Sequence, residues 1–243
     1  MNRITSHTLP IIGYHHSPLS QKFGVPRQPN LVAVKSHIDF VAPYAISDAF
    51  VGIERYSHLW ILWLFHHNKG QANFRPQVRP PRLGGNEKIG VFATRSMYRP
   101  SAIGLSVVQF DRLEVIDNQV ILHIIGADMV DGTPILDIKP YLAFADSVSG
   151  AKGFSKPTVR SVLWSNQAET DFMYFLQSNA LRLDDQVIIT KLIAQDPRVA
   201  YRQHETNLVS VMQYRCVDIN FYMNDDGAMV IECIKNSQVC HDT

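Results

Sequence analysis

Cysteine is scarce in this chain: Cys216, Cys233 and Cys240 are the three it has, all near the C-terminus and none in a CxxC pair. That scarcity excludes a disulfide scaffold and suggests reduced thiols in the cytoplasm. Long apolar runs are missing too. The longest, Leu59 to Phe65, falls far short of the ~20 residues a membrane span needs. Met1 to His7 is polar and Leu9 to Ile12 is too short for a signal core, so no secretory segment is expected. There is no GxGxxG and no Walker-type glycine loop, which argues against an ordinary doubly wound nucleotide fold. Without GxSxG, a serine hydrolase has no local support. HExxH and H-x-H are absent as well. The adjacent pairs His15-His16 and His66-His67 fall at the ends of expected strands, where successive side chains point to opposite faces, so no metal is expected.

What is present is the composition of a folded protein, 46% hydrophobic and 19% charged, with 13 Gly and 13 Pro. The net charge of +1 hides an asymmetry: residues 1–148 carry 14 Lys+Arg against 11 Asp+Glu, and residues 149–243 carry 9 against 11. Within 69–99, Lys69, Arg75, Arg79, Arg82, Lys88, Arg95 and Arg99 face only Glu87. Such a field suits an anionic partner, and equally a solvated, Arg-rich loop.

The first half reads as β. Leu31 to Phe40 alternates, with Val32, Val34, Ile38 and Phe40 on one face and Lys35, His37 and Asp39 on the other. A short helix is expected around Ala45 to Gly52. The run from Ser57 to Phe65 suits a strand buried on both faces. Ile89 to Ala93 and Ile103 to Phe110 follow, and in the latter the apolar parity switches between Val107 and Val108, a sign of a β-bulge. Leu113 to Ile116 and Val120 to Ile125 read as a hairpin across Asp117-Asn118. Many short strands with one short helix predict an antiparallel β-barrel over residues 1–148. Residues 65–89 are a long polar loop, the kind that serves as a functional lid or is disordered. A linker at 149–160 leads to a small α+β domain at 161–243. Helices are expected over Asp171 to Leu181 and Asp184 to Gln195, and a long hairpin pairs Leu208 to Met223 with Ala228 to Ile234 across Asn224-Asp225-Asp226-Gly227.

Several segments hold residues that are costly unless they have a function. These are Pro26-Arg27-Gln28-Pro29, Gly90-Val91-Phe92-Ala93-Thr94-Arg95, and Asp131-Gly132-Thr133-Pro134 leading to Asp137-Ile138-Lys139-Pro140-Tyr141. Singly, each also reads as a surface turn. In order, with Ile12-Gly13, Ser17-Pro18, Lys22 to Gln28, Ser57 to Leu62, Arg79-Pro80-Pro81-Arg82-Leu83-Gly84-Gly85 and Gly90 to Ser96, they resemble the TrmO (TsaA-like, YaeB) family of tRNA methyltransferases from about Ile12 to Tyr141. Ala194-Gln195-Asp196-Pro197-Arg198 with Ala200-Tyr201 resembles a segment of that family's C-terminal domain. One stretch departs: the family commonly reads Arg-Pro-Asn-Pro-Ile-Gly where this chain has Arg99-Pro100-Ser101-Ala102-Ile103-Gly104.

The resemblance implies an S-adenosylmethionine-dependent enzyme on a TsaA-like β-barrel, acting as a homodimer in the cytoplasm. It implies methylation of N6 of N6-threonylcarbamoyladenosine at tRNA position 37, without metal or membrane. Carried over as cofactor contacts are Pro26, Arg27, Gln28, His66, His67, Arg95, Leu105, Asp131, Gly132, Thr133 and Pro134. Arg27 or Arg95 would hold the methionine carboxylate. Arg75, Arg79, Arg82, Tyr98 and Arg99 would hold the tRNA, arginines on phosphates and Tyr98 against a splayed base. Asp137 and Tyr141 are candidates for a general base by position only, and Asp137 reads equally as a structural carboxylate; no base is assigned. Two other functions compete: a non-catalytic RNA-binding barrel and a metal-dependent hydrolase on the same barrel.

Overall fold

The structure is a computed structural model that describes residues 7–68, 73–80, 87–117, 119–153 and 157–238. Its strands and helices run in the order β1 (Gly13–His16), β2 (Lys35–Phe40), β3 (His58–Leu64), β4 (Gln77–Val78), β5 (Ile89–Gly90), β6 (Ile103–Ile116), β7 (Gln119–Ile125) and β8 (Thr133–Pro140). Then follow α1 (Ala143–Asp146), β9 (Val162–Trp164), α2 (Asn166–Gln177), α3 (Leu183–Ala194), β10 (Ser210–Tyr214), β11 (Val217–Met223) and β12 (Met229–Asn236).

Six strands close into an antiparallel barrel in the order β1-β2-β7-β6-β3-β8, with β8 returning to β1. Period-two alternation builds its interior. Ile38, Phe40, Leu59, Ile61, Trp63, Val108, Leu122, Ile124 and Ile135 point inward and form one core. Closure leaves no exposed sheet edge on the barrel. Gly104 is needed at one point of it, because a Cβ there would sit 2.2 Å from the Trp63 ring.

A second core lies in the C-terminal unit, where the sheet β10-β11-β12-β9 packs on α2 and α3. Leu19, Val32 and Val34 from the connection between β1 and β2 belong to this second core. The alternation over Leu31 to Phe40 therefore feeds two different interiors: Val32 and Val34 one, Ile38 and Phe40 the other. Periodicity reports which side is dry, not which core dries it.

Several expectations need correction. β3 is not buried on both faces: Leu59, Ile61 and Trp63 are inside, while Trp60, Leu62 and Leu64 are only half-buried on the outer wall. Trp60 there donates to Asp146 Oδ2 (2.9 Å) and packs near Tyr141. The bulge in β6 lies between Phe110 and Arg112, not at Val107-Val108. Inward parity is unbroken through Gly104, Ser106 and Val108, because the odd apolar residues face outward. The short helical stretch expected around Ala45 to Gly52 is a 3-10 helix over Ser47–Phe50. The expected strand from Leu208 to Met223 is itself a tight hairpin, β10 and β11, turning at Arg215 with φ +50°. Cys216 is disulfide-bonded and Cys233 is free, against the expectation of three reduced thiols; the lack of a CxxC pair does not exclude pairs that the fold brings together. No helix among the described residues is long and apolar enough to cross a membrane.

Candidate active site

The functional candidates gather where β6, the β7–β8 connection and the segments 17–30 and 91–102 meet at one end of the barrel. Ser106 is fully buried, and its Oγ accepts from Trp63 Nε1 (3.0 Å) while donating to Asp128 Oδ1. Burial pushes the Asp128 carboxyl up to about 6, opposed by the Ser106 bond and by the nearby Arg95 cation. Arg95 in turn donates through Nη1 to Gln28 Oε1. Two hydrogen-bonded pairs, Ser106–Asp128 and Arg95–Gln28, thus lie close enough for the exposed guanidinium to act on the carboxyl through its charge.

The turn Asp131 to Pro134 is held from below. Gly132 N–H donates to the His15 carbonyl (2.8 Å), Thr133 Oγ1 to the Val130 carbonyl (2.8 Å), and Asp131 N–H to the Leu19 carbonyl (2.8 Å). Asp131 Oδ1 accepts from Ser17 N–H at 2.9 Å. Gly132 takes φ +71°, which explains the residue type. His15 is sealed beneath this turn, its Nδ1 3.2 Å from the Val130 carbonyl and its Nε2 without a hydrogen-bond partner. Burial lowers its pKa to about 4, so the ring is neutral.

His66 and His67 stand edge to face, with ring centroids 4.0 Å apart. Lys22 donates to the His67 carbonyl (2.9 Å) and to Asn68 Oδ1 (2.8 Å), and Asn68 Nδ2 donates to the Met97 carbonyl (3.2 Å). Desolvation lowers the His66 pKa, with the facing charge of His67 and Lys22 acting in the same direction and Asp131 against them. His66 and Asp131, far apart in the chain, therefore feel each other's charge.

The structure separates the two arginines offered for the cofactor carboxylate. Arg27 Nη2 donates to the carbonyls of Asp196 (3.3 Å) and Arg198 (2.9 Å), tying the Pro26-Arg27-Gln28 turn to the C-terminal unit. Arg95 is exposed beside Asp128. Pro26 and Arg27 line a cleft with Pro157, Leu192 and Pro197, between the two units. Leu105 faces outward on β6 and is 52% exposed. Among the expected RNA contacts, Arg75 and Arg79 are exposed, Tyr98 is half-exposed, and Arg99 donates to the Thr94 carbonyl (3.0 Å). Arg82 lies outside the described residues. Ala102, in the departing stretch, takes φ +43°, a value closed to proline.

Of the two positional base candidates, Asp137 is paired with Lys139 (2.6 Å) and accepts from its neighbour Ile138 N–H (2.9 Å), the structural role. Tyr141 packs against His58 and Trp60 on the outer wall. Asp128 escaped the sequence reading. Its only early signal is a carboxylate inside the apolar stretch Ala127 to Val130, where a charge is expensive.

A closed β-barrel whose rim combines an exposed arginine, a partly buried carboxyl and two histidines, with no glycine-rich phosphate cradle, is not a Rossmann-type nucleotide fold, and the comparisons with known proteins place it among the methyltransferases. The family model for the tRNA-methyltransferase O N-terminal domain matches residues 14–147. The chain is 42% identical over 200 residues to the tRNA (adenine(37)-N6)-methyltransferase of Escherichia coli K12, covering 80% of this chain and 83% of that one. It is 40% identical over 206 residues to a putative S-adenosylmethionine-dependent methyltransferase, RcsF, of Pseudomonas aeruginosa (82% and 85% covered). A TrmO crystal structure superposes with a TM-score of 0.78 at 30% identity, over 96% of this chain and 100% of that chain. The chain belongs to the tRNA-methyltransferase O family.

Proposed function

We propose that this chain, an S-adenosylmethionine-dependent tRNA (adenine-N6)-methyltransferase, methylates N6 of N6-threonylcarbamoyladenosine at position 37. The observation that carries the reading is the convergence on Asp128 of Ser106, through a hydrogen bond, and of Arg95, through its charge, with Gln28 holding Arg95, all within the segment that matches the family model.

When bound, S-adenosylmethionine supplies an electrophilic methyl group on a sulfonium. The residues present suit it. Arg95 is an exposed cation, held by Gln28, that fits the methionine carboxylate. In this reading Leu105 offers an exposed apolar face for the adenine, and the edge-to-face rings of His66 and His67 are further cofactor contacts.

The acceptor sets the harder requirement. The lone pair of a carbamoylated N6 is delocalised into the urea carbonyl, so the nitrogen becomes nucleophilic only as its proton leaves. Asp128 answers that need. Its Oδ1 is fixed by Ser106, which leaves Oδ2 to take the N6 proton, and a carboxyl raised to about 6 is ionised at neutral pH yet more basic than an exposed one. Arg95 keeps that carboxylate charged. Positioning supplies the rest of the acceleration.

Arg75, Arg79 and Arg99 hold anticodon-loop phosphates in this reading, and Tyr98 stacks on a splayed base. Beside its charged groups the rim also carries an apolar pair, Phe74 and Phe92, stacked with ring centroids 6.1 Å apart and both exposed. Such a rim suits a homodimer in which a second copy closes the pocket. The cytoplasm, where tRNA is found, is the place of action. The test is nucleoside mass spectrometry of tRNA after incubation with the methyl donor. A one-methyl gain on the threonylcarbamoyl nucleoside, and none on plain adenosine, is the expected result. A gain on plain adenosine would move the substrate assignment, and no gain on either would remove the activity.

A further inference from the structure

Adjacent histidines on a strand face opposite ways, and His15 and His16 do so: one is sealed in the interior and the other is on the outer wall. The register of the barrel then supplies what adjacency in sequence withholds. His16 on β1 lies directly opposite His37 on β2. Asp39, two residues along β2, is on that same outer face. The His16 and His37 rings are nearly parallel, with centroids 5.0 Å apart. His16 Nε2 is 3.5 Å from Asp39 Oδ2, and His37 Nε2 is 3.5 Å from Asp39 Oδ1. One donor atom from each of the three lies within 4.8 Å of the other two.

We propose that His16, His37 and Asp39 form a binding site for a divalent transition-metal ion of the zinc class, on the outer wall of the barrel beside the Asp131 turn.

The distances carry this first. Tetrahedral ligands about 2.0–2.1 Å from a zinc ion sit about 3.3 Å from one another. Each imidazole is already near that figure from one oxygen of Asp39, His16 from Oδ2 and His37 from Oδ1, and one donor atom from each residue lies within 4.8 Å of the other two, so rotation of the side chains, the carboxylate included, closes the site. The donor set is two imidazoles and one carboxylate, a set that suits zinc, iron, nickel or copper over calcium or magnesium. Three protein ligands leave a fourth position for water.

The surroundings carry it second. Metal-bound histidines usually present their other nitrogen to a carboxylate or carbonyl, which fixes the ring. His16 Nδ1 faces Asp131 Oδ1 at 3.7 Å, and that oxygen is itself held by Ser17 N–H. Asp39 Oδ1 is buried and makes no hydrogen bond. A buried carboxylate oxygen without a hydrogen-bond donor is costly, and a cation at the triad would satisfy it. The His123 ring lies tilted, its centroid 5.7 Å from that of His37, but it is bonded to Glu114 at 2.8 Å and stands outside the triad.

The test uses the untagged full chain after dialysis against a chelator. Isothermal titration with zinc, and the visible spectrum with cobalt in its place, report binding, stoichiometry and ligand type; thermal unfolding reports stabilisation of the folded state. The expected result is one equivalent bound, a cobalt spectrum without thiolate bands and a raised Tm. Asp39→Asn, which keeps the shape, and His37→Ala should each weaken binding at least about tenfold. His66→Ala/His67→Ala and Cys233→Ser should bind as the parent does. Absence of binding at millimolar zinc would overturn the proposal. So would undiminished binding by Asp39→Asn and His37→Ala, or loss of binding in the His66/His67 or Cys233 variants instead.

Discussion

Arginine is used in two opposite ways in this molecule. In the C-terminal unit Arg198 is buried, with Nε and Nη2 both on Asp196 (2.8 and 2.9 Å) and Nη1 on the Glu205 carbonyl (2.8 Å). Arg160 joins the same carboxylate, and Gln203 Nε2 closes the loop onto the Asp196 and Arg198 carbonyls. At the barrel rim Arg75, Arg79 and Arg95 are exposed. A guanidinium whose donors are all satisfied by the protein fixes structure. One held by a single contact, as Arg95 is by Gln28, keeps donors for something else. The Pro26-Arg27-Gln28 turn joins the two regimes, since Arg27 plugs the C-terminal loop while the next residue holds Arg95.

Three variants put that contrast at risk, beginning with the largest effect. Asp128→Asn should keep the Ser106 bond and the fold but lower kcat by about 10²–10⁴-fold. The parent's kcat should climb as pH rises through about 6, where Asp128 ionises, and the variant should lose that limb. A variant with parental kcat would return Asp128 to a structural role. Arg198→Ala leaves Asp196 buried with a partner missing and should cost about 3–5 kcal/mol in denaturant unfolding. Arg95→Ala should stay within about 0.5 kcal/mol of the parent while losing affinity for the methyl donor. Equal stability losses in the two would erase the distinction between them.

The buried His15 predicts a pH dependence of stability. Its folded pKa is depressed to about 4 from 6.5, so between those values the unfolded chain binds more protons than the folded one. Stability then falls as pH drops through that window, by about 3 kcal/mol in total. His15→Gln should flatten this slope in chemical denaturation at a series of pH values, and an unchanged slope would assign it to other groups. Smallest is the electrostatic effect at the rim. Arg75→Ala and Arg79→Ala should each reduce the slope of log affinity for tRNA against log salt by about 0.7, with no change in Tm. Unchanged slopes would show that these arginines are only solvated.

The barrel, its hairpin at Asp117, the helix α3 and the 224–227 turn were legible because each rests on local pattern or turn chemistry, whereas α2 starts five residues before the expected Asp171, after the cap that Ser165 provides. What was not legible depends on distance in sequence. The bulge near Asp111 answers to the partner strand β7, and Val32 and Val34 to a core some 150 residues onward. The tie from Arg27 to the C-terminal unit was not legible because the carbonyls it reaches, those of Asp196 and Arg198, carry no side-chain signature. Asp128 passed unnoticed since a single carboxylate has no motif, and only the barrel reveals that Ser106 and Arg95 converge on it. The His16–His37–Asp39 triad is likewise a product of strand register.

Whether the rim of this barrel moves a methyl group onto one modified purine is the central question. The most direct measurement incubates the purified chain with isotopically labelled S-adenosylmethionine and tRNA carrying threonylcarbamoyl-adenosine, then reads the digested nucleosides by mass spectrometry. The expected result is label on that nucleoside from the parent and a loss of about a hundredfold or more with Asp128→Asn. Label on no nucleoside, or equal labelling by parent and variant, would contradict it.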